Sequence, residues 1–242
     1  MPKNTRAQNP GPLRIENFAN TTSPADDQMS PVPNFELRDL IADAYELGYY
    51  PFLPCPTELF IDIIRVNRLR FLAAHGGVTS TTGSIQSEAE DLLTKIIGFS
   101  PETWSETKDK SQEDHLMMAQ VYQSAVVLFG ISSLESAGAI LLSAGWAAVK
   151  KIHSCRLLRL LEKTAASCVL KNCTAWPIMV AGFEAKSGKA TARAFILGRL
   201  EEESRALGVY VPLAAKGVLE RFYASSGNSW DDCFDSPYAL IT

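Results

Sequence analysis

The segment "AWPIMVAGFEAKSGKATAR", residues 175–193, places a tryptophan, a proline and a run of small apolar residues ahead of the tripeptide SGK. A phosphate-binding loop needs glycine, four further residues and then Gly-Lys-Ser/Thr, with a strand before it. Here five residues separate Gly182 from Gly188, and Ala190 stands where the hydroxyl belongs. The spacing therefore favours two packed helices joined by a turn, and no nucleotide site is predicted.

Three residues of this segment have expected structural roles. Pro177 would lie in the first turn of the first helix, where its missing N–H costs little. Trp176 would anchor the start of that helix in the core. Gly182 would let a neighbouring helix approach closely, because it has no side chain. The segment predicts a helix, a turn and a second helix.

Helical patterns also dominate the rest of the chain. Apolar residues recur at three- and four-residue intervals in "NFELRDLIADAYELG" (34–48), and "PTELFIDIIRVNRLRFLAAHGG" (56–77) ends at a double glycine. Ser87 and Glu90 have the spacing of a capping box and predict a helix start. No alternating apolar–polar run typical of a strand is present. We expect an all-α fold, an irregular multi-helix bundle over residues 35–242.

Two stretches depart from this amphipathic pattern. Residues 1–34 are rich in Pro, Asn, Ser and Thr and carry few periodic apolar residues, which predicts a disordered N-terminal tail. Residues 124–149 are long and poor in charge, but Glu135 lies in their middle and neither half reaches the ~20 apolar residues of a membrane span. We expect buried core helices there.

Composition narrows the possible functions. The 242 residues carry a formal net charge of −4 without a block of Lys or Arg, so no electrostatic footprint for nucleic acid is visible. The five cysteines are scattered and indicate reduced thiols, and no signal-peptide pattern is present, so an intracellular protein is expected. The residues predict no catalytic, metal-binding or DNA-binding site and no cofactor. This pattern favours binding or regulation over catalysis.

Three stretches in the same order carry a family resemblance: "LPCPTELFIDIIRVNRLR" (53–70), "AWPIMVAGFEA" (175–185) and "KGVLERFYASSGNSWDDCF" (216–234). Together they resemble the C-terminal regulatory domain of fungal binuclear zinc cluster transcription factors, the fungal-specific transcription factor domain, over roughly residues 35–240. The positions that carry the motif are Pro56, Leu59, Trp176, Pro177, Gly182, Glu184, Arg193, Trp230 and Asp231.

The resemblance implies an all-α domain that modulates transcription in the nucleus of a fungus. Zinc cluster factors also bind DNA through a six-cysteine cluster near the N-terminus, but residues 1–54 contain no cysteine to inherit that role. We therefore expect a transcriptional regulator or co-regulator that acts through protein–protein contacts, without its own DNA-binding domain, and that is not an enzyme. Family association suggests a secondary-metabolite gene cluster as its setting.

The expected partners are other transcription regulators, among them a full-length zinc cluster factor, in a homo- or heterodimer. Direct sequence-specific DNA contact and membrane association are not expected. An alternative is a small helical enzyme or ligand-binding protein whose site is assembled from residues distant in sequence. A gene fragment or degenerate copy without function is a third alternative.

Overall fold

The computed structural model describes residues 17–46, 55–76, 82–108, 110–167, 170–171, 173–238 and 240. Helices account for all regular structure in these ranges, so the predicted all-α fold is confirmed. The helices are α1 (17–21), α2 (Pro31–Glu36), α3 (Arg38–Glu46), α4 (Thr57–His75), α5 (Thr82–Ile97), α6 (Pro101–Glu106), α7 (Gln112–Ser136), α8 (Ala144–Ala165), α9 (Ala175–Ala185), α10 (Ala190–Leu207), α11 (Val211–Ala224) and α12 (Trp230–Cys233).

Helix α7 lies at the centre of the bundle. Every residue from Val121 to Leu134 is buried, and α4, α5, α6, α8, α9 and α12 all pack against this helix. By length and composition α7 could cross a membrane, but 83% of its most apolar window is buried inside the protein. Because α7 is apolar on all sides, the surrounding helices cover it on all sides.

The prediction for residues 124–149 holds only in part. Residues 124–134 are core, as expected. The chain then leaves the interior, because Leu141 is 78% exposed and the first residues of α8 lie at the surface.

The helix–turn–helix prediction for residues 175–193 is confirmed by α9 and α10. A Cβ atom at Gly182 would collide with the fully buried side chain of Leu219 in α11. The hydroxyl of Tyr223, also in α11, donates a hydrogen bond of 2.9 Å to the Gly182 carbonyl. Gly182 therefore permits the close packing of α9 on α11, as the sequence indicated.

The predicted boundaries of two other helices were wrong. Residues 34–48 do not form one helix, because α2 and α3 are separated at Leu37. Ser87 does not start a helix, because α5 is already helical at Thr82. Inside α5 the Gln86 side chain donates a hydrogen bond of 2.9 Å to the Glu90 carboxylate. Glu90 therefore bonds to a side chain one helical turn earlier and does not close a capping box.

The predicted disordered tail was wrong for residues 17–34, whereas residues 1–16 lie outside the described residues. Phe18 is 1% exposed, and most polar residues from position 17 to 23 are buried too. Their side chains hydrogen-bond to the local backbone: Ser23 Oγ donates to Ala19 O at 2.8 Å, and the Asn20 amide exchanges two hydrogen bonds with the Met29 backbone. Polar composition alone does not reveal a segment whose polar side chains hydrogen-bond to its own backbone.

Two glycines give opposite predictions for stability. Gly182→Val should destabilise the protein by about 1–3 kcal/mol, because the new side chain overlaps Leu219. Gly198→Ala should stabilise it by about 0.5–1 kcal/mol, because nothing lies within 4 Å and alanine favours the helix. Chemical denaturation measures both changes, and equal effects at the two sites would contradict the close approach of α9 and α11.

Candidate functional site

Both tryptophans of the motif donate their indole N–H to Thr21. Trp176 Nε1 donates to the Thr21 hydroxyl and Trp230 Nε1 donates to the Thr21 carbonyl, each at 2.8 Å. Trp176 is 5% exposed and Trp230 is fully buried. Thr21 belongs to residues 17–34, which we call the N-terminal segment. This one residue therefore accepts the indole hydrogen bonds of two large aromatic side chains, from α9 and α12.

Arg70 of α4 is a fully buried cation beside this contact. Its Nη1 donates to the Asn20 carbonyl at 3.0 Å, and its Nη2 donates to the Ser23 carbonyl at 2.8 Å and to Asp231 Oδ1 at 3.1 Å. Burial lowers the pKa of Arg70, while the Asp231 carboxylate raises it and so favours the charged form. The guanidinium joins α4, the N-terminal segment and α12.

The aromatic ring of Phe129 lies between these groups. It meets Trp176 edge to face at 5.9 Å and Trp230 at 5.3 Å between ring centroids. The Arg70 guanidinium lies 5.6 Å from the same ring, within the range of a cation–π contact. We call Thr21, Arg70, Phe129, Trp176, Trp230 and Asp231 the Thr21–Arg70 cluster. It brings together three of the nine motif positions.

A second polar contact holds Glu184 at the other end of α9. The hydroxyl of Ser132 in α7 donates to Glu184 Oε1 at 2.9 Å, and Lys150 Nζ of α8 lies 3.3 Å from the same oxygen. Burial raises the pKa of Glu184, and Lys150 and Ser132 offset this shift in part. Glu184 thus links three helices at the centre of the bundle.

Arg193 stabilises the turn between α9 and α10. Its Nη1 donates to the Lys186 carbonyl at 3.0 Å, and its guanidinium lies 5.9 Å from the Tyr223 ring. Lys186 in turn donates to the carbonyls of Phe222 and Ser225 at the end of α11, at 2.6 and 3.0 Å. Contacts with α10 and α11 therefore fix the turn in place.

The remaining motif residues have simpler roles. Pro56 precedes α4, and its carbonyl accepts the first helical hydrogen bond from Phe60 N at 3.0 Å. Leu59 is fully buried in the core. Pro177 lies in the first turn of α9, where it was predicted. These positions define how α4 and α9 begin.

The side chains of this arrangement hold neighbouring helices together. The polar groups of the Thr21–Arg70 cluster point at one another and at backbone carbonyls within the core. Within the described ranges, no group of three or more His, Cys, Asp or Glu residues is placed to hold a metal ion. The Thr21–Arg70 cluster therefore stabilises the packing of α4, α9 and α12 against the N-terminal segment.

Sequence reasoning missed Thr21, Arg70, Ser132 and Lys150 as partners of the motif. For Arg70 a signal existed: the three- and four-residue spacing that buries Ile63 and Val66 continues to position 70. Thr21 gave no comparable signal, because its neighbours show no helical periodicity. The motif itself was recognisable because its tryptophans are rare residues at fixed positions.

Comparison with known proteins gives two matches. A family model described as "Fungal specific transcription factor domain" matches residues 15–214. The chain is 34% identical over 222 residues to the phomenoic acid biosynthesis cluster-specific transcriptional regulator of Leptosphaeria maculans. That alignment covers 91% of this chain and 42% of the relative, so the chain spans about two fifths of the relative's length. No solved structure matches the chain significantly. The stretch 216–234 lies beyond the family model, and the other two stretches lie inside it.

Removal of the Trp176 side chain tests its assignment as a core anchor. Trp176→Ala should destabilise the protein by about 3–5 kcal/mol, because a large buried aromatic is lost. Trp176→Phe retains most of the apolar surface and should cost less, with about 1 kcal/mol from the lost hydrogen bond to Thr21. Thermal and chemical denaturation measure both effects, and an unchanged melting temperature for Trp176→Ala would refute the assignment.

Substitution of Arg70 tests the link to the N-terminal segment. Arg70→Ala should cost about 3–5 kcal/mol, because it leaves buried carbonyls without their donor. Asp231→Asn should cost about 1 kcal/mol, because this side chain is partly exposed and an amide oxygen still accepts. Hydrogen exchange should show residues 17–34 losing protection first in Arg70→Ala. Unchanged protection of that segment would show that Arg70 does not hold it.

Proposed function

This chain belongs to the fungal specific transcription factor domain family, and we propose that it regulates transcription of a biosynthetic gene cluster through contacts with other transcription regulators. The observation that carries the proposal is a family match over 200 of its residues, 15–214. Membership identifies a fungal transcriptional regulator and favours that function over the enzyme alternative. The nucleus is the compartment that the family suggests.

The relative from Leptosphaeria maculans supports a biosynthetic gene cluster as the target of regulation. That protein is named as the cluster-specific regulator of phomenoic acid biosynthesis, and its similarity extends over 91% of this chain. We propose that this chain likewise controls a contiguous set of biosynthetic genes.

The net charge of residues 1–242 supports a regulatory contact with protein rather than with DNA. The formal net charge is −4, which gives little attraction for a phosphate backbone. In this proposal the chain reaches its target genes through a zinc cluster factor that it binds.

An exposed apolar surface at the junction of α10 and α11 supports such a contact. The residues of this α10–α11 patch are Leu207, Val209, Tyr210 and Leu213. Tyr210 is 74% exposed, and tyrosine is enriched where proteins bind one another. We propose that the patch binds a zinc cluster factor, the partner class that the family resemblance suggested.

Gene deletion and complementation test the proposal in the source organism. Deletion should change transcript levels of one contiguous biosynthetic cluster, and the wild-type gene should restore them. The double variant Tyr210→Ser/Leu213→Ser should restore them poorly and should recover less zinc cluster factor in a pull-down from nuclear extract, because an exposed apolar contact is lost.

Leu40→Ser is the matched control, because Leu40 is also exposed but lies on α3, away from this patch. The control should behave as the wild type, and all three proteins should melt at similar temperatures. Full rescue by the patch variant would rule out the patch as the contact. Unchanged cluster transcripts after deletion would rule out the regulatory function itself.

A further inference from the structure

Apolar side chains are exposed together at the start of α8. Leu141 is 78%, Leu142 43% and Ile152 64% exposed. Ala144 and Ala148 are exposed as well, and their spacing of four residues places them on the same face of α8 as Ile152. We call these five residues the α8 patch. Single exposed apolar residues are ordinary, but a group of them is typical of a surface that binds another molecule.

The α8 patch is preformed, because the chain is held on both sides of its two leucines. Ile140 is 2% exposed and so anchors the connector between α7 and α8 in the core directly before Leu141. The Ser143 hydroxyl accepts a hydrogen bond of 3.2 Å from Trp146 N and caps α8 directly after Leu142. A partner therefore meets a surface that requires little ordering on binding, which favours affinity.

Positive charge accompanies the apolar residues along α8. Lys151 lies beside Ile152, and Arg159 lies two helical turns beyond Ile152 on the same face. In the described part of the chain, neither Lys151 nor Arg159 forms an ion pair with an acid. The other exposed charges of α8 are Glu162 and Lys163. The first turn of α8 contains no acidic residue, so the positive end of its helix dipole is not offset there. The exposed face of α8 is therefore cationic, although the whole chain carries a formal net charge of −4.

Charge and side-chain size select among the occupants of the patch. A second copy of the chain would place cations and positive helix ends against one another, which opposes association. A lipid surface would need larger apolar side chains than Ala144 and Ala148, because an interfacial helix inserts such residues into the bilayer. Alanines instead permit the close approach of another helix, since the distance between packed helices depends on the side chains at their contact. An acidic helix therefore matches the patch in both size and charge.

We propose that the α8 patch binds an acidic amphipathic helix of a partner protein. The apolar side chains of that helix contact Leu141, Ala148 and Ile152, and its carboxylates pair with Lys151 and Arg159. The site consists of α8 and the connector before it, whereas the α10–α11 patch and the Thr21–Arg70 cluster consist of residues from other elements. This inference goes beyond the proposed function, and failure to bind would leave that function standing.

Two synthetic peptides of about 15 residues, long enough to form a helix, test the charge preference of the α8 patch. Both carry leucines at three- and four-residue intervals, and the remaining positions are glutamate in one peptide and lysine in the other. Titration of the purified chain, followed by fluorescence anisotropy of the labelled peptide, should show saturable binding of the glutamate peptide only. Added salt should weaken that binding. Equal binding of both peptides, or no saturable binding of the glutamate peptide, would overturn the proposal.

The same protein sample tests the two other occupants. Analytical ultracentrifugation should show no dimer that Ile152→Ser dissociates, and vesicles of phosphatidylserine and phosphatidylcholine should not displace the glutamate peptide. A dimer that depends on Ile152 would assign the patch to a second copy of the chain and overturn the proposal. Displacement of the peptide by the vesicles would overturn it in favour of a lipid surface.

Charge reversal tests the two cations. Lys151→Glu/Arg159→Glu should weaken binding of the glutamate peptide by about tenfold or more, because two attractive contacts become repulsive. Lys110→Glu/Lys189→Glu makes the same change in net charge at exposed positions outside α8 and should bind as the wild type. Equal affinity in the two double variants would exclude Lys151 and Arg159 from the site.

Removal of an apolar side chain tests the other half of the contact. Ile152→Ser should weaken binding of the glutamate peptide by about tenfold, because the apolar surface that the peptide buries is lost. Leu40→Ser removes a similarly exposed side chain from α3 and should leave the affinity unchanged. Both substituted side chains are exposed, so both variants should melt near the temperature of the wild type. Wild-type affinity in Ile152→Ser would contradict the apolar contact.

The Cys155 thiol locates the bound peptide on the wild-type chain. Cys155 is exposed and lies one helical turn after Ile152, between that residue and Arg159. At saturation the glutamate peptide should slow the alkylation of Cys155 by iodoacetamide several-fold, measured by mass spectrometry, because the bound helix covers this face of α8. The lysine peptide should leave the rate unchanged. Unaltered alkylation of Cys155 in the presence of saturating glutamate peptide would place the peptide elsewhere and overturn the proposal.

Discussion

The burial of the Arg70 guanidinium is the constraint on which the arrangement of the helices depends. A charge removed from water is tolerated only when it is paired and hydrogen-bonded, and the three partners here come from two distant parts of the chain. Two are carbonyls of the N-terminal segment, and the third is the carboxylate of Asp231. Nε of Arg70 has no partner in the described residues, so the other contacts matter all the more.

Apolar packing and polar links contribute differently to this domain. The apolar residues of α7 and its neighbours supply most of the stabilisation, but such packing alone tolerates many small adjustments. Polar links restrict these adjustments, because Glu184 must reach both Ser132 and Lys150, and Arg70 must reach its carbonyls. The motif residues and their polar partners thus determine the relative positions of the helices.

The sequence predicted those parts of the fold that depend on local pattern. The join of α9 and α10, the anchoring tryptophan and the close approach at Gly182 follow from residue types and spacing. The order of residues 17–34 could not be predicted, because it depends on indole groups 155 and 209 residues away from Thr21. The buried role of Arg70 was missed because arginine is usually exposed.

The contact between Thr21 and Trp230 also has a consequence for biosynthesis. The two residues are separated by 209 positions, so the core cannot close until nearly the whole domain has left the ribosome. Contacts of such long range slow folding, because loop entropy must be lost before they form. During synthesis the N-terminal segment exposes Phe18 and unpaired backbone groups, which are the features that chaperones recognise and that favour aggregation. A messenger truncated before α12 would produce a chain that stays in this vulnerable state.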